Sequence, residues 1–196
     1  MNLRRAGPDD APVLCELGAL TFSHTFGPLY DPKDLQNFLT STYTIEQHLG
    51  PLTDPKESFW LLEDDQGKAL AFGWAGACKL PVKDMEPNAG EIKRVYVHPD
   101  HQGKQLGSRV IQQMLSWLDE EGYNPLYIGV WSENYGAHRL YNRYGFDKVA
   151  EYEFPVGDHL DREFIFKSPA KDVEHHGSLS HATVGGEEEE GSSLKN

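Results

Sequence analysis

The residues best suited to chemistry lie in one stretch of the chain, from 95 to 108, which reads as a strand, a short loop and the start of a helix. Gly103 lies in the loop, and Gly107 lies near the helix start. The first N–H groups of a helix have no partner within it, and the helix dipole is positive at that end. Such a loop is an anion site that suits a pyrophosphate. The alternative is that both glycines serve only the turn and helix packing.

A second series of residues follows at fixed spacing on a predicted strand-to-helix unit. Asn134 is followed by Ala137 after two intervening residues and by Tyr141 after three more, and Gly145 and Phe146 close the series. A glycine loop alone is weak evidence for a site, but the two stretches together form a specific combination. For Tyr141, the alternative is an aromatic residue of the core beside Phe146.

Together the two stretches resemble the GNAT superfamily of N-acetyltransferases, and the resemblance covers Leu3 to about Lys167. The family signature is Gln or Arg, two residues, Gly, one residue, and Gly or Ala, followed later by the Asn-Ala-Tyr-Gly-Phe series. One residue departs from it, because Gln105 stands where the family most often has its first glycine. The resemblance implies an enzyme that moves acetyl from acetyl-CoA, its cosubstrate, to a primary amine by direct attack in a ternary complex.

The resemblance also implies which residues bind acetyl-CoA. The backbone of the strand would pair with the pantetheine arm as an added strand. The loop N–H groups would hold the pyrophosphate, and Asn134 would bond the pantetheine amide. Gln105 keeps its backbone N–H, so its side chain need not block the site. The implied cofactor-binding residues are Val95, Tyr96, Val97, Gln102, Gly103, Lys104, Gln105, Leu106, Gly107, Ser108, Asn134, Ala137 and Tyr141.

Amine attack on a thioester needs a neutral amine, a donor for the developing oxyanion and a proton for the leaving thiolate. By the resemblance, strand N–H groups supply the donor and Tyr141 supplies the proton. Glu91 is the candidate base, directly or through a water. The alternatives are an exposed carboxylate at the end of a strand, and solvent as the base. We expect no metal, because His98 and His101 have no third ligand at a suitable spacing.

The acceptor is indicated by two further segments, Leu20–Phe26 and Ile128–Asn134, which resemble the PaiA-type branch that acetylates spermidine and spermine. We therefore expect a polyamine or a similar small cationic amine. The alternatives are a protein N-terminus or lysine, and a module that senses CoA without catalysis. Five acidic residues are expected to rim the acceptor cleft: Asp31, Asp34, Asp84, Glu86 and Glu133.

The charge of the chain agrees with a cationic partner. The formal net charge is −13, and residues 168–196 hold two lysines and six carboxylates, which leaves −9 on the rest. An acidic body argues against nucleic acid and anionic membranes as partners. Cys15 and Cys78 are too few for a disulfide framework, and no segment reads as a signal peptide or a membrane span. We expect a cytoplasmic protein, and the resemblance implies a possible homodimer.

The elements that position these residues follow from apolar periodicity and turn residues. The predicted order is a strand, two helices, a hairpin at 58–78, a strand from Glu91 to Val97, a helix, a strand, a helix and two strands. This order implies an α/β (α+β) domain, a mixed sheet with helices on both faces. The GNAT fold has a mostly antiparallel sheet of about seven strands. We expect this domain over 1–167 and a disordered acidic tail over 168–196.

Overall fold

The computed structural model describes residues 1–169 of the chain. Seven strands and five helices alternate along it, with short 3₁₀ turns at Pro8–Asp10, Gly27–Leu29 and Pro99–His101. Most of the predicted tail, 170–196, lies outside the described residues. In chain order the elements are β1 (Asn2–Arg5), α1 (Ala11–Phe26), α2 (Pro32–Thr42), α3 (Ile45–Thr53), β2 (Glu57–Glu63), β3 (Ala69–Ala77), β4 (Gly90–Val97), α4 (Leu106–Glu120), β5 (Leu126–Trp131), α5 (Tyr135–Arg143), β6 (Asp147–Val156) and β7 (His159–Lys167).

The strands form one sheet in the order β1-β2-β3-β4-β5-β7-β6. The pairing of β4 with β5 is parallel, and the other described pairings are antiparallel. Helices cover both faces of this sheet. The predicted fold class, a mixed and mostly antiparallel sheet of about seven strands between helices, is confirmed.

The sheet divides at its centre, between β4 and β5. The two strands are in register at Gly90 with Leu126 and at Glu91 with Tyr127, and the described ladder ends there. Beyond that point β4 remains paired with β3, while β5 remains paired with β7. A V-shaped gap therefore separates two neighbouring strands whose backbone edges face each other.

Two apolar clusters hold the helices on the sheet. On one face, α4 buries Val110, Ile111, Met114 and Leu118 completely. On the other, Leu14 and Leu17 of α1 join a second cluster, which includes Phe59, Leu61 and Phe72 of the sheet. Burying an aliphatic side chain contributes roughly 1.5–3 kcal/mol, so these contacts fix both helices beside the gap.

The helix α3 was not predicted, because Pro51 lies inside it and proline normally stops a helix. The helix begins where the Thr44 hydroxyl accepts a hydrogen bond from the N–H of Gln47, at 3.2 Å. It continues only two residues past the proline. Leu20 was predicted on the apolar face of α1, but 43% of its surface is exposed. That part of the prediction is wrong, since Leu20 lies off the buried stripe.

Two element boundaries also differ from those that the sequence pattern predicts, which are Lys104 for the start of the helix after β4 and Arg162 for the start of the last strand. The helix α4 begins at Leu106 rather than at Lys104, because Gln105 before it has a left-handed backbone with φ +61°. The strand β7 begins at His159 rather than at Arg162. A tight hairpin pairs Val156 with His159, and Gly157 supplies the positive φ that such a turn requires.

Candidate active site

A cleft of about 430 Å³ lies at the divided centre of the sheet. Its lining comes from the facing parts of β4 and β5, from α1, α2 and α5, and from β6 and β7. It therefore brings the facing part of β4 together with the start of α5, whereas Val97 and the loop at 102–108 are not part of its described lining. Val95, Tyr96, Asn134, Ala137 and Tyr141 all line it.

The edge of β4 that faces the gap leaves backbone groups without a strand partner. In the described pairing, β3 is the partner of the residues from Arg94 to Val97. Lys93 is the extra residue of a bulge, since Trp74 is opposite Arg94 and Ala75 is opposite Ile92. An open strand edge pairs readily with an extended ligand. This edge therefore fits the pantetheine arm of CoA, as was expected of Val95, Tyr96 and Val97.

The glycine loop lies at the end of this same edge. Its residues 102–105 are exposed, and a Cβ placed on Gly107 would lie 3.4 Å from Val97 and 3.8 Å from Val95. At the start of α4, the N–H of Arg109 donates to the carbonyl of Gln105, at 3.2 Å. The N–H groups of Leu106, Gly107 and Ser108 then have no acceptor within the helix. They are available to an anionic group that continues from the β4 edge.

Two residues of the loop have a positive φ, Gly103 at +75° and Gln105 at +61°. This backbone explains why a glycine suits position 105, since a side chain in the left-handed region costs roughly 1–2 kcal/mol. The side chain of Gln105 makes no capping hydrogen bond to the helix. Lys104 is held differently, because its ammonium donates to the carbonyl of Asp100 at 3.2 Å.

The strain at position 105 is measurable as a difference between two variants. We expect Gln105→Gly to be more stable than Gln105→Val by about 1–2 kcal/mol, because valine adds a branched Cβ to a left-handed backbone. Urea unfolding of both variants measures this difference. The matched control is the same pair of substitutions at Lys104, whose φ is not positive, where glycine should gain no such advantage. Equal stabilities of the two Gln105 variants would contradict the expectation.

Asn134 begins the helix α5, and its side-chain oxygen accepts a hydrogen bond from the N–H of Ala137, at 3.1 Å. This cap explains why the two residues recur together at that spacing. The carboxamide has a separate NH₂ group, which can donate to a ligand. Since Asn134 lines the cleft, it can cap the helix and bond the pantetheine amide at the same time.

The position of Tyr141 is compatible with both interpretations that the sequence left open, an aromatic residue of the core and a proton donor. Its side chain is 5% exposed and its ring packs 6.0 Å from that of Phe146, so it belongs to the core. It also lines the cleft. Burial raises the pKa of its phenol well above the ordinary value. The hydroxyl therefore stays protonated at neutral pH and is able to donate a proton or a hydrogen bond.

Glu91 lies where β4 and β5 separate, and its side chain lines the cleft. Only 9% of its surface is exposed, so the alternative of an exposed carboxylate at a strand end is wrong. One of its oxygens accepts a hydrogen bond from the N–H of Lys79, at 2.8 Å. Burial raises the pKa of this carboxyl. Both findings are compatible with the predicted role as a base.

The acidic residues of the acceptor side differ from those predicted. None of the five expected residues is among the described lining of the cleft. Asp31 caps α2, and Glu86 binds Lys167 and the hydroxyl of Tyr127. The carboxylates that line the cleft besides Glu91 are Asp161 and Glu163 of β7. Asp161, Glu163 and the buried Ile165 are each two residues apart, so they lie on the same face of β7. This spacing could have indicated buried acids.

Aromatic rings form much of the remaining lining. Arg94 lies over two of them, 5.3 Å from the ring centre of Tyr43 and 5.0 Å from that of Trp74. The hydroxyls of Tyr43 and Tyr96 are 2.7 Å apart. Rings of this kind attract cations and pack against aliphatic chains. The other aromatic residues of the lining are Phe22, Phe26, Tyr30, Phe38, Trp131, Tyr152 and Phe154.

Within residues 1–169, no group of three or more His, Cys, Asp and Glu side chains could hold a metal ion. His98 caps the turn that follows β4, where its ring nitrogen is 3.3 Å from the N–H of Asp100. The ring of His101 lies 5.5 Å from that of His98. No helix of the described chain is long and apolar enough to cross a bilayer.

An open strand edge that leads to a helix start, beside a buried tyrosine in a divided sheet, is an arrangement that suits an acyltransferase that uses a CoA thioester. The chain belongs to the acetyltransferase (GNAT) family, whose sequence profile matches residues 22–146. It is therefore an N-acetyltransferase, and acetyl-CoA is its cosubstrate.

Relatives in sequence carry related names. A protein of Lactobacillus delbrueckii subsp. lactis, named as an uncharacterized N-acetyltransferase in the pepI 3' region, is 30% identical over 167 residues. The match covers 81% of this chain and 91% of that protein. The mycothiol acetyltransferase of Rhodococcus jostii is 28% identical over 144 residues, which cover 72% of this chain and 44% of that enzyme.

Solved structures share the fold at lower identity. The PaiA N-acetyltransferase of Thermoplasma acidophilum, in complex with coenzyme A, has a TM-score of 0.68 at 17% identity and covers 85% of this chain and 97% of that one. The ribosomal-protein-S18-alanine N-acetyltransferase of Escherichia coli has a TM-score of 0.66 at 15% identity, with 89% and 97% covered.

Proposed function

We propose that this acetyltransferase acts on a small cationic primary amine, with a polyamine such as spermidine or spermine as the first candidate. The observation that carries the proposal is the pair of carboxylates, Asp161 and Glu163, in a cleft lined by aromatic rings. Carboxylates attract an ammonium group by charge, and aromatic faces attract it by cation–π interaction. The rings would also pack against the methylene chain between two amines.

The cations in the same cleft limit where a second ammonium group can lie. Lys93 is paired with Glu57 at 2.8 Å, and Lys79 lies 3.6 Å from the same carboxylate. Arg94 remains between two aromatic rings, near the middle of β4. The amine would therefore enter along β7, where the carboxylates are, rather than along β4.

The site residues divide the chemistry as follows. Backbone N–H groups of β4 near Val95 would bond the thioester oxygen, where negative charge develops during attack. The nitrogen forms a bond to the carbonyl carbon, and the carbon–sulfur bond breaks. Tyr141 would give its proton to the departing sulfur. Asn134 and the loop at 102–108 would hold the pantetheine arm and the pyrophosphate, so that the thioester lies in the cleft.

A panel of acceptors tests the proposal. We expect acetyl-CoA consumption, read as free thiol release, to be fastest with spermidine or spermine and at least about tenfold slower with aminoglycosides, free amino acids and peptide N-termini, because only the polyamines are both slender and polycationic. Turnover confined to peptides would favour the protein N-terminus or lysine instead. Tight binding of acetyl-CoA without turnover on any amine would favour the CoA-sensing module.

Two narrower expectations stay predictions. Cys15 and Cys78 are both free, which supports a reducing compartment such as the cytoplasm. For a homodimer through the last strands, the outer edge of β6 is available as the contact, because that strand is at one end of the described sheet. Light scattering of the purified chain tests the homodimer, and a monomeric mass at all concentrations would exclude it.

A further inference from the structure

Glu163 is the carboxylate of the cleft that no part of the predicted site uses. It lies on β7, in register with Trp131 of β5 on one side and with Tyr152 of β6 on the other. Its side chain lines the cleft. Within residues 1–169, no hydrogen-bond donor or cationic group binds its carboxylate. A carboxylate in that position is free to take a proton from a ligand.

The other two carboxylates of the cleft are already engaged. Glu91 accepts the hydrogen bond from the N–H of Lys79. Asp161 accepts a hydrogen bond from the hydroxyl of Tyr30 and lies 3.1 Å from a ring nitrogen of His159. Each of these two carboxylates is therefore already held by a donor of the protein. Glu163 lacks such a donor.

The position of Glu163 places its carboxylate above the strand that borders the gap. A Cβ built on Gly129 of β5 would lie 3.4 Å from one carboxylate oxygen of Glu163 and 3.0 Å from the hydroxyl of Tyr152. Because Gly129 has no side chain, both groups lie directly over the backbone of β5. An acceptor that reaches a thioester held between β4 and β5 would therefore meet this carboxylate.

The surroundings of Glu163 also suit proton transfer near neutral pH. Burial, and then the negative charge of Asp161, raise the pKa of its carboxyl to about 7. A base works best when its pKa is close to the working pH, because it is then largely ionised and still basic enough. The titratable and charged groups that share the cleft lining with it are Asp161, Glu91, Lys79, Lys93, Arg94, Tyr30, Tyr43, Tyr96, Tyr141 and Tyr152.

We propose that Glu163 is the general base of this acetyltransferase and that it takes the proton from the ammonium group of the acceptor. The proposal rests on the amine acetylation proposed above. It assigns to β7 the role that the sequence predicted for Glu91 of β4. Glu91 then has a positioning role, since it accepts the N–H of Lys79 at the point where the two strands separate.

The protons balance in the following way. The acceptor ammonium gives one proton to the Glu163 carboxylate, which later releases it to solvent. The neutral nitrogen forms its bond to the thioester carbon, and the sulfur leaves with the proton of Tyr141. The nitrogen then gives up its second proton, which restores the phenol of Tyr141. One proton is released for each acetyl group transferred, as an ammonium becomes an amide and the thioester becomes a thiol.

The experiment compares the pH dependence of kcat/KM in four proteins: the wild type, Glu163→Gln, Glu91→Gln and the control Glu153→Gln. Glu153 lies on β6 with an exposed side chain and does not line the cleft. The acceptor is whichever amine of the panel the wild type turns over fastest. The unfolding midpoint and the KM for acetyl-CoA are measured for each variant, to show that the fold and the cofactor site are intact.

We expect wild-type kcat/KM to fall as the pH drops below about 7, because Glu163 becomes protonated there. Glu163→Gln should lose about 10²-fold or more at pH 7 and lose this inflection. Its remaining activity depends on amine that is already neutral, so the deficit should shrink about tenfold per pH unit toward the pKa of the amine. Glu153→Gln should keep the wild-type profile.

Three results would overturn the proposal. A wild-type profile in Glu163→Gln would exclude the base role, and loss of the inflection in Glu91→Gln instead would return that role to β4. A raised KM for the amine with kcat and inflection preserved would make Glu163 an anchor for the ammonium only. Absence of turnover by the wild type on every amine of the panel would overturn the proposed function itself, and this inference with it.

Discussion

Replacing Tyr141 by phenylalanine is expected to lower kcat by about 10²- to 10⁴-fold, the usual effect of removing a general acid. The substitution removes one oxygen from a buried ring and leaves its contact with Phe146 in place. Without the phenol, the thiolate has to leave unprotonated or take a proton from water. The KM for acetyl-CoA should change little, because the contacts proposed for the pantetheine arm and the pyrophosphate come from other residues.

Thiol release with the best acceptor of the panel measures the effect. The control is Tyr135→Phe, which removes a hydroxyl from an exposed residue at the start of the same helix. That variant should keep the wild-type kcat. Because burial holds the pKa of the Tyr141 phenol above its ordinary value, the deficit should persist at all pH values between about 6 and 9. An unchanged kcat would make solvent the source of the proton and leave Tyr141 with a packing role only.

The donor half of the site could be proposed from the sequence because it depends on short-range features. A glycine loop before a helix, and an asparagine that caps the next helix, are local arrangements with recognisable spacing. The structure places Asn134 in the lining of the cleft, and the glycine loop follows the far end of β4, outside the described lining. Their distance in sequence did not matter, because each carries its own turn or cap.

The acceptor half was harder to predict because it is assembled from distant elements. The five acidic residues chosen from sequence lie in loops and helix starts, where charged side chains are usually solvated. The cleft carboxylates that the prediction missed, Asp161 and Glu163, are on β7. Asp161 binds the hydroxyl of Tyr30, and Glu163 lies beside residues of β5 and β6, so groups distant in sequence cover this face of the strand. Sequence periodicity cannot distinguish such a covered face from an exposed one.

Lys93 lines the cleft and also belongs to an ion pair that supports the sheet beside the gap. It is the extra residue of the β4 bulge, and its ammonium lies 2.8 Å from the Glu57 carboxylate. The exposed fractions of the two side chains are 8% and 4%. The indole N–H of Trp74 donates to the other oxygen of Glu57, at 2.8 Å. A Cβ on Gly76 would lie 2.1 Å from that oxygen, so glycine is what leaves room for the pair.

Glu57→Leu is therefore expected to destabilise the protein by about 3–5 kcal/mol, because it leaves the Lys93 ammonium buried without its counter-ion. Urea unfolding measures this loss. The double variant Glu57→Leu with Lys93→Met should recover most of it, since replacing both members of a buried pair by apolar residues of similar volume is often close to neutral. Lys79→Met is the control, because that lysine is 73% exposed and lies 3.6 Å from Glu57, so its loss should cost less than about 1 kcal/mol.

The activity of the double variant shows whether the ion pair is needed for the shape of the β4 bulge as well as for the stability of the sheet. If the bulge depends on the ion pair, the stable double variant should still have a raised KM for acetyl-CoA, because the β4 edge beside Lys93 would change its register. If the backbone holds the bulge by itself, the KM should return to the wild-type value as the stability does. A single variant Glu57→Leu that unfolds within about 1 kcal/mol of the wild type would contradict the first expectation and show that water reaches Lys93.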